Sequence, residues 1–249
     1  MLRTLLADLH IHSCLSPCAG LGMTPKKIVL RSLEAGLSII AVTDHNSAEN
    51  VPAVTAAASG TGLLVVPGME ISTVEEVHIL GLFESCAAAM EMQQLVFDHL
   101  MPGTNDENLF GLQVIANEND EVEGFNTRLL IGSTTLDVSR TVESIHRLNG
   151  IAVFSHIDRE SYSILSQLGF IPAGIGINGV EISKKTSMEE ARKRFGDCAD
   201  YPMIRSSDAH EPEDIGTAAT AFMLERPSFA EIGMALAGSR GRRISHYHP

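Results

Sequence analysis

The chain has 249 residues, 44% of them hydrophobic and 20% charged, with 21 glycines and 10 prolines. That composition excludes collagen-like, low-complexity and disordered classes and fits one large globular domain or two small ones. Eighteen basic residues against 31 acidic ones give a formal net charge of −13. A basic footprint for a phosphate backbone is therefore missing, and any nucleic-acid contact is expected to be local, as an enzyme meets a substrate.

The first apolar run, residues 2–9, stops at His10 as a buried strand does. It carries no basic leader with a small-residue cleavage site, and no apolar run along the chain reaches the ~18 residues a membrane helix needs. The four cysteines (Cys14, Cys18, Cys86, Cys198) show no zinc-ribbon pairing. These features predict a cytoplasmic protein without membrane contact. Thr24-Pro25 opens a helix, with Ile28, Val29, Ser32 and Leu33 on one face and Gly36 at its C-terminal cap. A second strand over residues 38–42 ends at Thr43-Asp44-His45, and a helix over 48–58 leads to a third over 63–66, which stops at Pro67-Gly68-Met69-Glu70. A fourth, 77–83, follows after a short connection and holds His78. Residues 86–100 predict a helix, and 103–132 a polar, loop-rich insertion with a hairpin turning at Asn117-Glu118-Asn119-Asp120, a flap and not a separate domain. Alternation resumes with a helix near 138–148 and strands at 151–154, 180–182 and 202–204, the first ending at Ser155-His156 and the last leading into Ser206 to His210. About seven short strands, mostly separated by helices, argue for a parallel α/β sheet or barrel in one domain spanning residues 1–249.

The polar residues of interest sit at the C-terminal ends of those runs: His10, His12, Asp44, His45, Glu70, His156, Asp208 and His210. In α/β barrels these ends converge on one face, so side chains remote in sequence meet at one mouth. His10 and His12, two apart on a strand, point the same way and can grip one ion. A single His-x-His is a weak motif, and any one of these histidines read alone is a structural residue. The set is different, because a core that collects this many titratable groups needs cations to hold it together. His99 and His146 in helical stretches, and His246 and His248 in the tail, have no assigned role.

The strings Asp8-Leu9-His10-Ile11-His12, Thr43-Asp44-His45-Asn46, Pro67-Gly68-Met69-Glu70-Ile71-Ser72, Val77-His78-Ile79-Leu80-Gly81, Ser155-His156 and Ser207-Asp208-Ala209-His210 resemble the PHP (polymerase and histidinol phosphatase) superfamily, in order over nearly the whole chain. The resemblance implies a distorted (β/α)7 barrel, here with an inserted flap or hairpin region, and two or three divalent ions at one mouth. It implies that His10, His12, Glu70 and Asp208 hold one ion, that Glu70 bridges to a second held by His78 and His156, and that His45 and His210 belong to a third. Where the family places a histidine or aspartate to complete the third shell, this chain has Cys18 as the nearest counterpart. A thiolate there favours zinc or iron over manganese or magnesium; the alternative is a free cysteine with no ligand role.

The expected reaction is attack by metal-bound hydroxide on a phosphoester of a small phosphorylated metabolite or nucleotide, the ions also offsetting the charge of an acidic protein facing an anion. Arg159, just beyond His156, and Lys184, after the sixth strand, are candidates to hold the phosphate. Three other readings stay open. A nuclease could trim nucleic-acid ends with the same site, which the low aromatic content (5%, no tryptophan) disfavours. An amidohydrolase also begins with His-x-His but commonly bridges its ions with a lysine. A metal-sensing protein could keep the site without turnover.

Overall fold

A computed structural model of the chain describes residues 1–198 and 200–245, so His246 and His248 lie outside the described residues. The chain runs β1 (Arg3–Ile11), α1 (Pro25–Glu34), β2 (Ile39–Val42), α2 (Val51–Ala57), β3 (Leu64–Ser72), β4 (His78–Leu82) and α3 (Cys86–His99). The insertion holds α4 (Glu107–Phe110), β5 (Val114–Ala116) and β6 (Val122–Phe125), and the barrel resumes with α5 (Val138–Arg147), β7 (Ile151–Phe154), α6 (Ile164–Leu168), β8 (Gly179–Ile182), α7 (Met188–Arg194) and β9 (Met203–Arg205). A C-terminal segment adds β10 (Thr220–Leu224), α8 (Phe229–Leu236) and β11 (Arg243–Ser245). Several helices start on capping side chains: Ser85, Asp137, Ser187 and Ser228 each accept a bond from the backbone N–H three residues on.

Seven strands lie side by side in the order β1-β2-β3-β4-β7-β8-β9. The seam between the last and the first closes at one end only, where His12 N–H donates to the Ala209 carbonyl (3.0 Å) and Ala209 N–H to that of His10 (3.3 Å). Towards the other end β10 pairs with residues 3–7 of β1 and is tied to β9 through Thr220 and Arg205. This is a distorted (β/α)7 barrel. Two features depart from the sequence expectation of a mostly parallel barrel of seven strands: β4 runs antiparallel to both its neighbours, and the β10–α8–β11 segment was not anticipated. The short β3–β4 connection explains the first, since only an antiparallel pair closes without a crossover.

Period-2 alternation sorts the strand residues. One apolar cluster gathers Leu9, Ala41, Val66, Leu80, Val153 and Ile204 from six strands and fills the barrel. A second, including Ile40, Val65, Ile79, Phe154 and Val180, meets the outer helices. Glu70 shares its parity with Val66, His78 with Leu80, and Glu181 opposes Val180, so all three point inward above the apolar floor. In β1 a register shift between Asp8 and Ile11 changes the parity. Leu9 packs in the interior cluster and Ile11 in the outer one, which turns His10 and His12 into the mouth.

The insertion forms the expected hairpin: β5 and β6 pair antiparallel around the turn at Asn117–Asp120. It is fastened to the barrel. Asn50 donates to the Val114 carbonyl and accepts from Ala116 N–H, and Asn46 donates to the carbonyls of Leu130 and Gly132.

Candidate metal centre

Nine polar side chains meet at the mouth of the barrel. Glu70, on β3, is 1% exposed, and its two oxygens face five imidazoles. Oε1 lies 3.1 Å from His78 Nδ1, 3.2 Å from His156 Nε2 and 3.3 Å from His10 Nε2, while Oε2 lies 3.2 Å from His45 Nδ1 and 3.5 Å from His12 Nε2. Asp208 Oδ1 approaches His10 Nε2 and His12 Nε2 at 3.3 and 3.2 Å, and those two nitrogens are 3.1 Å apart. Cys18 Sγ is 3.1 Å from His210 Nε2.

These spacings suit cations. Ligand atoms bonded tetrahedrally at about 2.0–2.1 Å sit roughly 3.4 Å apart, and the separations around His10, His12, Glu70 and Asp208 run from 3.1 to 3.5 Å. Three groups bring donor atoms within 4.8 Å of one another: His10 with His12 and Asp208; His45 with Glu70 and His78; and His12 with Cys18, His45 and His210. His12 and His45 are thus shared between groups rather than confined to one. Buried atoms without any hydrogen-bond partner cluster here too: His45 Nδ1, Glu70 Oε1 and His78 Nδ1. Leaving such atoms unpaired is costly unless something binds them.

Other side chains fix which nitrogen faces the centre. His10 Nδ1 bonds both oxygens of Glu181 on β8 (3.0 and 3.1 Å), leaving Nε2 as the inward donor atom. His12 Nδ1 donates to Ser16 Oγ (2.9 Å), whose hydroxyl donates to Asp44 (2.7 Å). His210 Nδ1 donates to the Asp208 carbonyl (2.9 Å). Asp44 itself is a buttress, accepting also from the backbone and hydroxyl of Ser13. Such outer partners set the tautomer and aim of a ligating histidine. Glu181 was missed in the sequence; a lone acid between Val180 and Ile182 in a buried strand is the signal that could have found it.

Protonation follows from the same contacts. Burial opposes the ionised form of Glu70, but His78 and His10 outweigh it and hold the carboxyl well below its usual range; His10 and His12 do the same for Asp208. His12 is pulled down to about 4 by burial and by His210, and burial takes His45 well below its ordinary value. For His10 burial also disfavours charge, yet Glu181, Glu70 and Asp208 together raise it well above. Partial loss of water around the sulfur, although Cys18 stands on the exposed rim, and then Glu70 and Asp208 push the thiol up to about 12. Ionised Glu70 and Asp208 beside neutral His12 and His45 offer donor atoms to a cation, whereas an ion at His10 Nε2 would have to displace that imidazole's proton.

Strain concentrates at this mouth. His156 (φ 29°), Asp208 (φ 50°), Asn46 (φ 51°) and Tyr162 (φ 59°) all adopt left-handed backbone without being glycine, at about 1–3 kcal/mol each. Tyr162, also missed, stacks on His78 with ring centroids 4.5 Å apart, and its carbonyl accepts from His78 N–H. Of the two candidate phosphate holders, Arg159 reaches the centre, its guanidinium bonding Asp208. Lys184 instead bonds Asp214 at 2.7 Å.

The family model of the PHP domain matches residues 8–179, and that of a PHP-associated segment matches residues 191–239. The chain belongs to the PHP family. Among curated relatives, the 5'-3' exoribonuclease Rnm of Salmonella typhimurium is 41% identical over 80 residues, and that of Escherichia coli 36% over 80 residues. In each case the match covers 30% of this chain and 26% of the relative, so the PHP chain aligns with about a quarter of their length. Among solved structures, a lesion-specific endonuclease from Pyrococcus furiosus superposes with a TM-score of 0.77 at 20% identity, over 97% of this chain and 58% of that one. An amidohydrolase from Chromobacterium violaceum gives 0.58 at 20% identity, over 84% and 89%. At these identities the structural likeness concerns the fold alone.

Proposed function

We propose that this PHP protein is a metal-dependent hydrolase of phosphoesters acting on a nucleic-acid strand or a nucleotide. The observation that carries the reading is Glu70, one buried carboxylate facing five imidazoles. In this reading His10, His12, Glu70 and Asp208 hold one ion, Glu70, His78 and His156 a second, and Cys18, His45 and His210, with His12 at the shared edge, a third. Zinc, manganese and iron all suit such a mixed histidine–carboxylate set. Divalent ions supply Lewis acidity toward phosphoryl oxygens and bring the pKa of water near neutrality.

The chain's own residues do the rest. Glu181 and Ser16 keep the His10 and His12 imidazoles aimed at one point, the preorganisation that electrostatic catalysis relies on. Arg159, anchored on Asp208, supplies a fork of N–H donors to a phosphoryl group at the edge of the cluster. A nucleic-acid or nucleotide substrate is favoured over other phosphometabolites because relatives in sequence and fold carry exoribonuclease and endonuclease names, one of the latter bound to a 27-mer duplex with an abasic lesion. The four free cysteines suit a reducing, cytoplasmic setting. The reading takes residues 1–249 as one barrel unit whose insertion borders the site.

Elemental analysis of purified protein, followed by incubation with 5′-phosphorylated RNA and DNA oligonucleotides, nucleotides and simple phosphomonoesters, tests this. The expected result is at least two ions per chain and phosphoester cleavage that chelation abolishes. Hydrolysis of amides without any phosphoester cleavage would overturn it.

A further inference from the structure

Beside the metal cluster lies a cleft of about 620 Å³ whose lining includes Arg159, Lys185 and Arg194. In a protein with 18 basic residues and a net charge of −13, a concavity lined by three cations against two acids carries a formal charge of about +1, opposite in sign to the chain as a whole. Two acids share the lining, Asp158 and Glu160, but Asp158 is already engaged. Its carboxylate accepts from Ser183 N–H (2.8 Å), Ser183 Oγ (2.7 Å) and Thr186 Oγ1 (2.6 Å), so it keeps its charge but is spent on fastening the turn that carries Lys185 and forms no ion pair with that lysine. Among the described residues neither Lys185 nor Arg194 has a carboxylate partner. Arg194 lies 5.0 Å over the Phe195 ring, which leaves its in-plane N–H donors free. Arg159 belongs to both places, lining the cleft while its guanidinium bonds Asp208 in the cluster.

We infer that this cleft is a second anion subsite, which takes the phosphodiester flanking the scissile one on a nucleic-acid strand. The inference rests on the phosphoester reading above and deepens it. One phosphate at the ions and its neighbour in the cleft fix the strand's register by charge rather than by base identity. The arrangement also reconciles an acidic protein with a polyanionic substrate, because attraction is confined to the two places where phosphates sit. Sequence reasoning expected Lys184 to hold the substrate phosphate at the mouth; Lys184 is bonded to Asp214 instead, and the turn tied by Asp158 brings its neighbour Lys185 to the cleft.

The test compares wild type with Lys185→Gln, Arg194→Gln and the double variant. Lys193→Gln is the charge-matched control, since Lys193 is paired with Glu189 outside the cleft. Each metal-loaded protein is assayed on a short oligonucleotide and on the same oligonucleotide with a neutral methylphosphonate at the linkage flanking the cleavage site. The double variant should raise KM for the native oligonucleotide about tenfold, roughly the worth of one charge-assisted hydrogen bond, and should lose the wild-type preference over the methylphosphonate. Binding of the native oligonucleotide to metal-free protein gives a readout independent of turnover. The slope of log Kd against log salt should fall by about one, the share of a single phosphate, in the double variant and stay unchanged in the Lys193 control. An unchanged KM and slope in the double variant, or an equal loss on both oligonucleotides, overturns the subsite even if the enzyme is active. Conversely, a slope that depends on Lys185 and Arg194 in a protein that cleaves no phosphoester sinks the catalytic reading and leaves the subsite standing.

Discussion

The metal cluster and the neighbouring cleft share Arg159 but are built by opposite means. The centre of the cluster is buried, with Glu70, His10, His12 and His156 each at most 1% exposed and Cys18 on its exposed rim, and outer hydrogen bonds fix the aim of His10, His12 and His210. The cleft is open, with Lys185 and Arg194 exposed and only the scaffold beneath them fastened, through Asp158. The difference follows from what each would hold. A desolvated ion rewards ligands fixed to fractions of an ångström, whereas a solvated phosphodiester is met adequately by long flexible cations at a surface. Substitutions in the cluster should therefore act on ion binding and turnover together, and those in the cleft on substrate affinity.

The largest effect belongs to Glu70 and Asp208. Glu70→Ala or Asp208→Ala should lower kcat on any phosphoester substrate by about a thousandfold or more, since several kcal/mol of charge stabilisation go with the ions. Metal content should fall in parallel while the circular dichroism stays that of the parent. Near-normal turnover with full metal content would refute the roles proposed for both residues.

Metal removal tests the cluster without mutation. Glu70, Asp208 and Glu181 are buried together, and ions that bind the folded chain alone stabilise it by mass action, about 3–4 kcal/mol at a hundred- to thousandfold excess over Kd. Chelation should therefore lower Tm by roughly 5–15 °C, restored by adding the native metal, given about 2–4 °C per kcal/mol for a chain of this size. The Lys185 and Arg194 variants should leave that difference intact, which separates the two regions cleanly.

Next comes Glu181, which touches the cluster only through His10 Nδ1 and the His156 backbone N–H. Glu181→Ala should weaken metal affinity about 10–100-fold, measured by competition with a chelating dye. Glu181→Gln, whose amide oxygen still accepts from Nδ1, should recover part of it. Ser16→Ala acts on His12 through a neutral hydrogen bond and should cost less, about 2–10-fold.

The order of these effects also tracks what the amino-acid sequence discloses. His10, Glu70 and Asp208 were legible because they stand at or just beyond the ends of apolar runs, where a barrel gathers its chemistry. Glu181 was only half legible: a lone acid inside a buried strand signals a partner, but announces neither its direction nor which group it meets. The register shift between Asp8 and Ile11 was equally silent, although it turns His10 and His12 inward. The seam occupied by β10 escaped because its pairing with β1 joins residues more than 200 positions apart. The hairpin in the insertion was readable since its turn residues and flanking runs are local.

The smallest effect, and the sharpest contrast, lies between adjacent lysines. Lys184 and Lys185 are indistinguishable in sequence, both following Ile182 at the end of β8. In the fold the Lys184 ammonium is held by Asp214, whereas Lys185 lines the cleft. Lys184→Gln removes the same charge at nearly the same place, so long-range attraction for a polyanion should change equally in both variants. Only a specific contact separates them. KM for the native oligonucleotide should move less than twofold in Lys184→Gln and severalfold in Lys185→Gln, with Lys184→Gln showing instead a slight loss of thermal stability from the freed Asp214. Equal KM changes would mean that the two side chains contribute only net charge, and the cleft would lose its standing as a distinct subsite.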